Sequence, residues 1–342
     1  GSMVLLTSGT TGTPKGAPRN HIDPLQTAQL LDRIPWPECG SYVVAAPLFH
    51  ATGLATCALG LALGNRAALA RRFDPEATLA AMDTHQAGAL IIVPTMLQRI
   101  LDLGPDVLAR YDISSLTVLF AAGSALSPDL CRRTAVAFGE VLYNLYGSTE
   151  VAAAAIATPA ELRTAPGTVG RPPLGCRLAC YDGQRRLITE PGRTGTLFVA
   201  SGLSFTGYTD GGHKEIVDGL LSTGDTGHFD ECGLWFVDGR DDDMIVSGGE
   251  NVFPLEVENL LDGHPEIVEA AVIGVDDAEF GKRLRAFVVV CTDATLDADG
   301  VKTFVRSQLA RHKVPRDVVF VKVLPRNETG KLLKGRLAEM PV

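Results

Sequence analysis

The chain has 342 residues, 46% apolar and 21% charged, with a net charge of −9, an ordinary globular composition and enough length for two domains. The acidic balance excludes broad nucleic-acid binding, and the sequence contains no apolar run of membrane-spanning length and no basic-then-apolar leader. Seven cysteines without a C-x-x-C pair point to a reduced, cytoplasmic protein whose thiols serve as small core residues.

Gly1-Ser2-Met3 reads as a cloning remnant. Val4–Ser8 is a short apolar run that enters a Gly/Thr-rich loop. Beyond it, Tyr42–Ala46, Ala89–Val93, Leu116–Ala121 and Val141–Leu145 read as buried strands. Pro24–Leu31, Pro75–Met82, Met96–Leu103 and Pro128–Phe138 read as helices, three of them with Pro in the first turn. This alternation predicts a mostly parallel sheet with helices on its faces.

From about Gly167 short strands such as Leu197–Ala200 and Leu234–Val237 sit among Gly, Pro and Asp, the texture of a small antiparallel barrel or sandwich. After Gly239 comes a helix from Pro254 ("PLEVENLLDGH"), then the strands "VEAAVIGV" and "RAFVVVC". A helix at Val301–Arg311, the strand "VVFVKVL" and a last helix "KLLKGRLAEM" complete the chain. The expected fold class is α/β: a parallel-sheet part at 4–166, a β-barrel-like part at 167–239, and a small α+β domain at 240–342.

Several segments carry chemistry. "TSGTTGTPKG" (Thr7–Gly16) is built to hold phosphates: Gly9 and Gly12 let the backbone approach an anion, hydroxyls donate, and Lys15 adds charge. It is not the G-x-x-x-x-G-K-[ST] loop, since Pro14 precedes Lys15 and Gly16 follows it. "YNLYGSTE" (Tyr143–Glu150) follows a buried strand, where α/β sheets present their ligand sites. "STGDTGHFDECG" holds Asp225 between glycines, suited to grip a diol. "LPRNETGKLLKGRL" carries Lys331 in a polar loop. From Val301 onward, ten Lys/Arg face three Asp/Glu, which is either a solvated helix face or a cationic cover for a polyphosphate.

In order and spacing these segments resemble the adenylate-forming superfamily of acyl-CoA synthetases, peptide-synthetase adenylation domains and firefly luciferase, from Thr7 to Leu337. The resemblance implies a remnant of the large adenylation domain followed by its small C-terminal domain, with ATP, Mg²⁺ and CoA as cofactors. It assigns Thr7, Ser8, Gly9, Thr10, Thr11, Gly12 and Lys15 to the β- and γ-phosphates. "AAGSALS" (Ala121–Ser127), with Gly123 and Ser124, resembles the turn beside adenine and acyl group. Tyr146 would stack on adenine, Asn144 and Gly147 would be further cofactor-binding residues, and Ser148 and Thr149 would contact the α-phosphate. Glu150, with Thr7, would hold Mg²⁺. Asp225 and Arg240 would bind ribose, and His50 in "PLFHATG" matches an aromatic gate near the acyl carboxylate. Lys331 matches the catalytic lysine of adenylation and Asp242 the hinge between half-reactions. Ser247, Gly248 and Gly249 would form a strand edge along which pantetheine enters.

"SGGENVFPLEVENLL" resembles the fatty-acyl and aromatic CoA-ligase branch, and "PKGAPR" its fatty-acyl members. Ala121, Ala122, Gly123 and Val151–Ala157 are small and apolar, which points to a medium- or long-chain fatty acid. The expected partners are therefore a small carboxylic acid and CoA. The alternatives are an acyl-AMP ligase that loads a carrier protein, and a nucleotide-binding fragment without turnover. The second follows because family members carry a subdomain ahead of the phosphate loop, whose absence predicts self-association through an exposed apolar face.

Overall fold

A computed structural model of the chain describes residues 3–7, 15–19, 29–202, 204, 207–209, 212–247, 249–277, 280–327 and 331–340. It divides into two compact units. The first comprises 1–126, 130–223 and 228–236; the second comprises 127–129, 224–227 and 237–342.

In the first unit, β1 (Met3–Thr7) and β2 (Lys15–Arg19) pair antiparallel, with Thr7 opposite Lys15. The expected phosphate loop falls between these two strands, and its residues Ser8, Gly9, Thr10, Thr11 and Gly12 lie outside the described residues. Of the helix expected from Pro24, the described part is α1 (Gln29–Asp32). The remaining elements alternate: β3 (Ser41–Val44), α2 (Ala51–Ala62), β4 (Arg66–Leu69), α3 (Pro75–His85), β5 (Ala89–Ile92), α4 (Pro94–Leu101), α5 (Pro105–Leu108), β6 (Val118–Ala122), α6 (Pro128–Phe138), β7 (Leu142–Tyr146), β8 (Ala155–Ala157) and α7 (Pro159–Thr164). They build a six-stranded sheet in the order β4-β3-β5-β6-β7-β8, parallel except for β8.

Both faces of that sheet are buried, so the strands read as continuous apolar runs. Val43, Leu90, Ile92, Leu119 and Ala121 pack beneath α3, α4 and α6. Tyr42, Val44, Ala89, Ile91, Val118 and Phe120 pack on the opposite face with Trp36, Cys57 and Leu59. Period-two alternation along each strand divides the two layers. Helix α2 was missed because its sequence, ATGLATCALGLA, shows no clean apolar stripe. Tertiary packing selects it, since a Cβ at Gly53 would meet Pro47 O at 2.4 Å.

A second sheet holds β9 (Arg177–Tyr181), β10 (Gly195–Ala200), β11 (Ile216–Val217), β12 (Leu220–Phe229) and β13 (Trp235–Arg240), in the order β11-β12-β10-β9 with β13 beside β12. The expected barrel is corrected to an open sheet: β11 is two residues long, and β9 and β11 stay at opposite ends without pairing. The division between units crosses the β12–β13 hairpin at Gly224 and Val237.

The second unit contains β14 (Ile245–Ser247), β15 (Glu250–Val252), α8 (Pro254–Asp262), β16 (Ile267–Asp277), β17 (Gly281–Val290), α9 (Ala298–Gln308), β18 (Asp317–Phe320) and α10 (Lys334–Ala338). The sheet order is β15-β14-β17-β16, with β18 parallel to β17. Apolar residues of α8 and α9 cover one face, Val257, Leu261, Val301 and Val305 among them. Leu324 and Leu337 cover the other. Helix α8 also closes the outer edge of β16. Glu258 and Asp262, one helical turn apart, accept hydrogen bonds from the N–H groups of Val272 (2.8 Å) and Ala270 (3.1 Å).

Three expectations are corrected here. The last helix starts at Lys334, not Lys331, because residues 326 and 332 form a β-bridge. Ser247 does not lie on a sheet edge: it pairs with Glu250 on one side and Gly281 on the other. Gly249, at φ +86°, turns the hairpin, and Gly248 lies outside the described residues. The cysteines divide, with Cys57, Cys131 and Cys180 buried, and Cys39, Cys232 and Cys291 exposed. Among the described residues no helix is long and apolar enough to cross a membrane.

Candidate functional site

The parallel strands β3, β5, β6 and β7 place their carboxyl ends together, the end at which α/β sheets present ligand loops. After β3 comes His50 at the N-cap of α2. Its backbone is extended and its side chain caps nothing in the helix. Burial pulls the His50 pKa down, which favours a neutral ring. After β6, Gly123 turns the chain with φ +101°, leaving Ser124 exposed.

After β7 runs the Tyr146–Glu150 segment. Gly147 is required by space: a Cβ there would meet Ala152 O at 1.8 Å. The tight return is closed by Ala152 N–H to Ser148 O (2.8 Å) and Ala154 N–H to Tyr146 O (2.9 Å). Ala152 takes φ +62° to complete it. Tyr146 packs against the cluster of Val151, Ala154, Val199 and Leu221, beside Tyr208. Asn144 is buried, and its amide donates to Thr168 O at 3.4 Å.

Glu150 is half-buried. Its Oε1 accepts from the Tyr208 hydroxyl at 2.7 Å, and its N–H donates to Ser148 Oγ at 3.2 Å. Burial alone would push the carboxyl up. The hydrogen bonds from Tyr208 and Ser148 and the charge of Lys214 outweigh it, so the pKa lies below its ordinary value and the group is ionised at neutral pH. Nothing local in the sequence signals the pairing of Glu150 with Tyr208, 58 positions beyond it. An ionised carboxylate suits Mg²⁺, which takes few protein oxygens and completes its shell with water and phosphate. Glu150 fits that role; the side chain of Thr7 lies outside the description.

The run Val151–Ala157 is spent differently from expectation. Val151, Ala153, Ala154, Ala155, Ile156 and Ala157 are all at most 1% exposed and fill the cores of the first unit, so they do not line an open acyl channel.

In the second unit the structure groups four more candidates. Arg240 lies 3.7 Å from Asp225 and 2.9 Å from Asp242. Burial lowers the Arg240 pKa, yet Asp242 and Asp225 prevail and hold it above its ordinary value. Lys331 sits half-buried in its loop. Its N–H donates to Asn327 Oδ1 at 2.8 Å, and its carbonyl accepts from Asn327 N–H at 2.9 Å. Burial and then Arg240 lower the Lys331 pKa, against Asp243, Asp242 and Asp225. A half-buried ammonium in the field of a guanidinium is an arrangement that can meet incoming negative charge. Several cations of the basic tail are already paired: Lys313 with Glu256, Arg326 with Glu269 and Lys334 with Asp243.

The family described as "AMP-binding enzyme" matches residues 2–209, and "AMP-binding enzyme C-terminal domain" matches 256–331. The chain belongs to the AMP-binding enzyme family. Its relatives are acyl- and aryl-CoA ligases of the adenylate-forming superfamily. It is 34% identical to the indoleacetate–CoA ligase of Aromatoleum aromaticum, over 99% of this chain and 67% of that one. It is 31% identical to the fatty acid–[acyl-carrier-protein] ligase ScoC of Streptomyces coeruleorubidus, over 98% and 66%. Among solved structures, the o-succinylbenzoate CoA synthetase of Bacillus subtilis in complex with its acyl-adenylate superposes with a TM-score of 0.86 at 27% identity, covering 99% of this chain and 69% of that one. This AMP-binding chain thus spans about two thirds of its relatives' length.

Proposed function

We propose that the protein is an AMP-forming acid–thiol ligase. A carboxylate oxygen attacks the α-phosphorus of ATP and pyrophosphate leaves. The CoA thiol, losing its proton, then attacks the acyl carbonyl and AMP leaves. The obstacle in the first step is an anion approaching a polyanion, and the chain answers with positioned charge. Lys15 and the Thr7–Gly16 loop would hold the β- and γ-phosphates. Tyr146 would stack on adenine beside Asn144 and Gly123-Ser124, Ser148 and Thr149 would contact the α-phosphate, and Asp225 with Arg240 would bind ribose. Lys331 would donate to the charge that builds during adenylation, and His50 would border the acyl carboxylate. Mg²⁺, when bound at Glu150, would offset phosphate charge. Asp242 would act as the hinge between the steps, with Ser247–Gly249 beside the pantetheine.

The observation that carries this reading is Glu150, kept ionised by Tyr208 in the loop after β7 of an AMP-binding chain. The acid expected from the resemblance is a medium- or long-chain fatty acid. Two observations favour an aryl-substituted acid as a second reading. The small residues Val151–Ala157 are packed in the core, and relatives bear the names indoleacetate and 2-succinylbenzoate CoA ligase. The name of ScoC keeps a carrier protein as the rival acceptor. The same proposal divides the chain at 4–166, 167–239 and 240–342 and puts it in the cytoplasm. It includes self-association through exposed Phe49, Leu54 and Leu61, which light scattering reads.

ATP–pyrophosphate exchange across fatty and aryl acids, with AMP release measured with and without CoA, tests the reading. Exchange with one acid class and CoA-dependent AMP release are expected; no exchange with any acid would refute it. Lys331→Ala should abolish exchange while sparing thioester formation from supplied acyl-adenylate.

A further inference from the structure

The loop that carries Lys331 is fastened at its base. Arg326 and Leu332 form a β-bridge, Asn327 exchanges hydrogen bonds with Lys331, and Leu324 and Leu337 enter one apolar cluster from either side. Three residues beyond Lys331, the Lys334 ammonium lies 3.0 Å from Asp243 Oδ2 and 3.9 Å from Glu258 Oε1. Asp243 ends the short turn Asp241–Asp243 that follows Arg240, and it also acts electrostatically on Lys331. One carboxylate thus binds Lys334, the first residue of α10, and acts on Lys331 three positions earlier. Lys334 holds it, with Glu258 as a second carboxylate on its side. The Lys334–Asp243 pair is partly buried, with side-chain exposures of 30% and 34%, so it is screened less than a surface pair.

We propose that Lys334 is a positioning residue for adenylation: by occupying Asp243 it prevents that carboxylate from capturing Lys331, whose ammonium stays available to the substrate. The inference rests on the reading of Lys331 as the adenylation lysine. Without Lys334, Asp243 would be left short of its counter-charge and would draw in the next ammonium of the loop. Each lysine trapped in that way is removed from the competent population.

The test compares wild type, Lys334→Met, Lys334→Arg and Lys334→Met/Asp243→Asn in two measurements. One is ATP–pyrophosphate exchange; the other is the pKa of Lys331, read from the pH dependence of its acetylation by acetic anhydride and followed by mass spectrometry. Lys334→Met should raise the Lys331 pKa and lower the exchange kcat about fivefold, as expected for capture by a partly buried pair, with the KM for ATP unchanged. Asp243→Asn in that background should reverse both effects, and Lys334→Arg should lie nearer wild type than Lys334→Met. An unmoved Lys331 pKa in Lys334→Met overturns the inference. So does a rise that Asp243→Asn fails to reverse, which is what simple loss of the α10 anchor or unfolding would give. Lys331→Ala in parallel separates the role of Lys331 from that of Lys334. Exchange that survives it refutes the catalytic reading of Lys331. Exchange lost in Lys331→Ala but intact in Lys334→Met refutes only the role of Lys334. The acetylation readout needs no turnover.

Discussion

Replacing Asp262 with asparagine should stabilise the second unit at neutral and alkaline pH and leave it nearly unchanged at pH 4. Asp262 packs at the end of α8 with its carboxyl on the Ala270 N–H. Burial, with Glu258 and Glu269 nearby, raises its pKa from 3.8 to about 7 despite that hydrogen bond. The sign follows from proton binding. Between those two values the folded chain holds a proton that the unfolded chain has lost, so stability falls as pH rises, and it levels off above about pH 7. At 1.36 kcal/mol per unit, three units amount to about 4 kcal/mol. Asp262 retains some solvent access, so on the order of 2–4 kcal/mol is expected. Asparagine keeps the acceptor for Ala270 without the charge. Native-state hydrogen exchange of peptides spanning 254–290, corrected for the intrinsic pH dependence of exchange, reads the difference between the two proteins. A gap that is absent at pH 8, or that shrinks as pH rises from 5 to 8, would refute the reasoning.

Gly147→Ala should cost at least ~2 kcal/mol and most of the adenylation rate, because its Cβ would meet Ala152 O at 1.8 Å; normal thermal stability together with normal exchange would contradict this. Tyr208→Phe removes the 2.7 Å hydrogen bond that helps hold Glu150 ionised. A carboxyl depressed in the folded state loses activity as pH falls through its pKa, so the acidic limb of the exchange profile should move to higher pH. An unmoved limb would separate Glu150 from the reaction. Asp242→Pro takes away the acceptor for Arg240 Nε and stiffens the proposed hinge. It should slow thioester formation far more than exchange, and ordinary CoA thioesterification would count against the hinge.

Much of the architecture was legible because burial on both faces writes strands as uninterrupted apolar runs, as in Ala89–Ile92 and Val118–Ala122. Helices with Pro in the first turn, such as Pro75–His85 and Pro128–Phe138, were legible for a similar local reason. Helix α2 was not, since its twelve residues lack a clear apolar stripe and its position depends on Gly53 fitting against Pro47. Closure of the 167–239 strands was misjudged because closure depends on which edges meet, and local alternation carries no record of that.

Residue order by itself determined the family, through motifs spread from Thr7 to Leu337, and with it the candidate residues Glu150, Asp225, Arg240 and Lys331. Only the tertiary structure decided the state of those residues. Tyr208 keeps Glu150 ionised from 58 positions away, and burial with Arg240 lowers the pKa of Lys331. Lys334 takes Asp243, 91 positions away. The small residues after Glu150, which read as room for an acyl chain, proved to be core. The physical reason is common to all four: charge and burial depend on what lies within a few ångströms, and folding sets those neighbours across separations that no local pattern encodes.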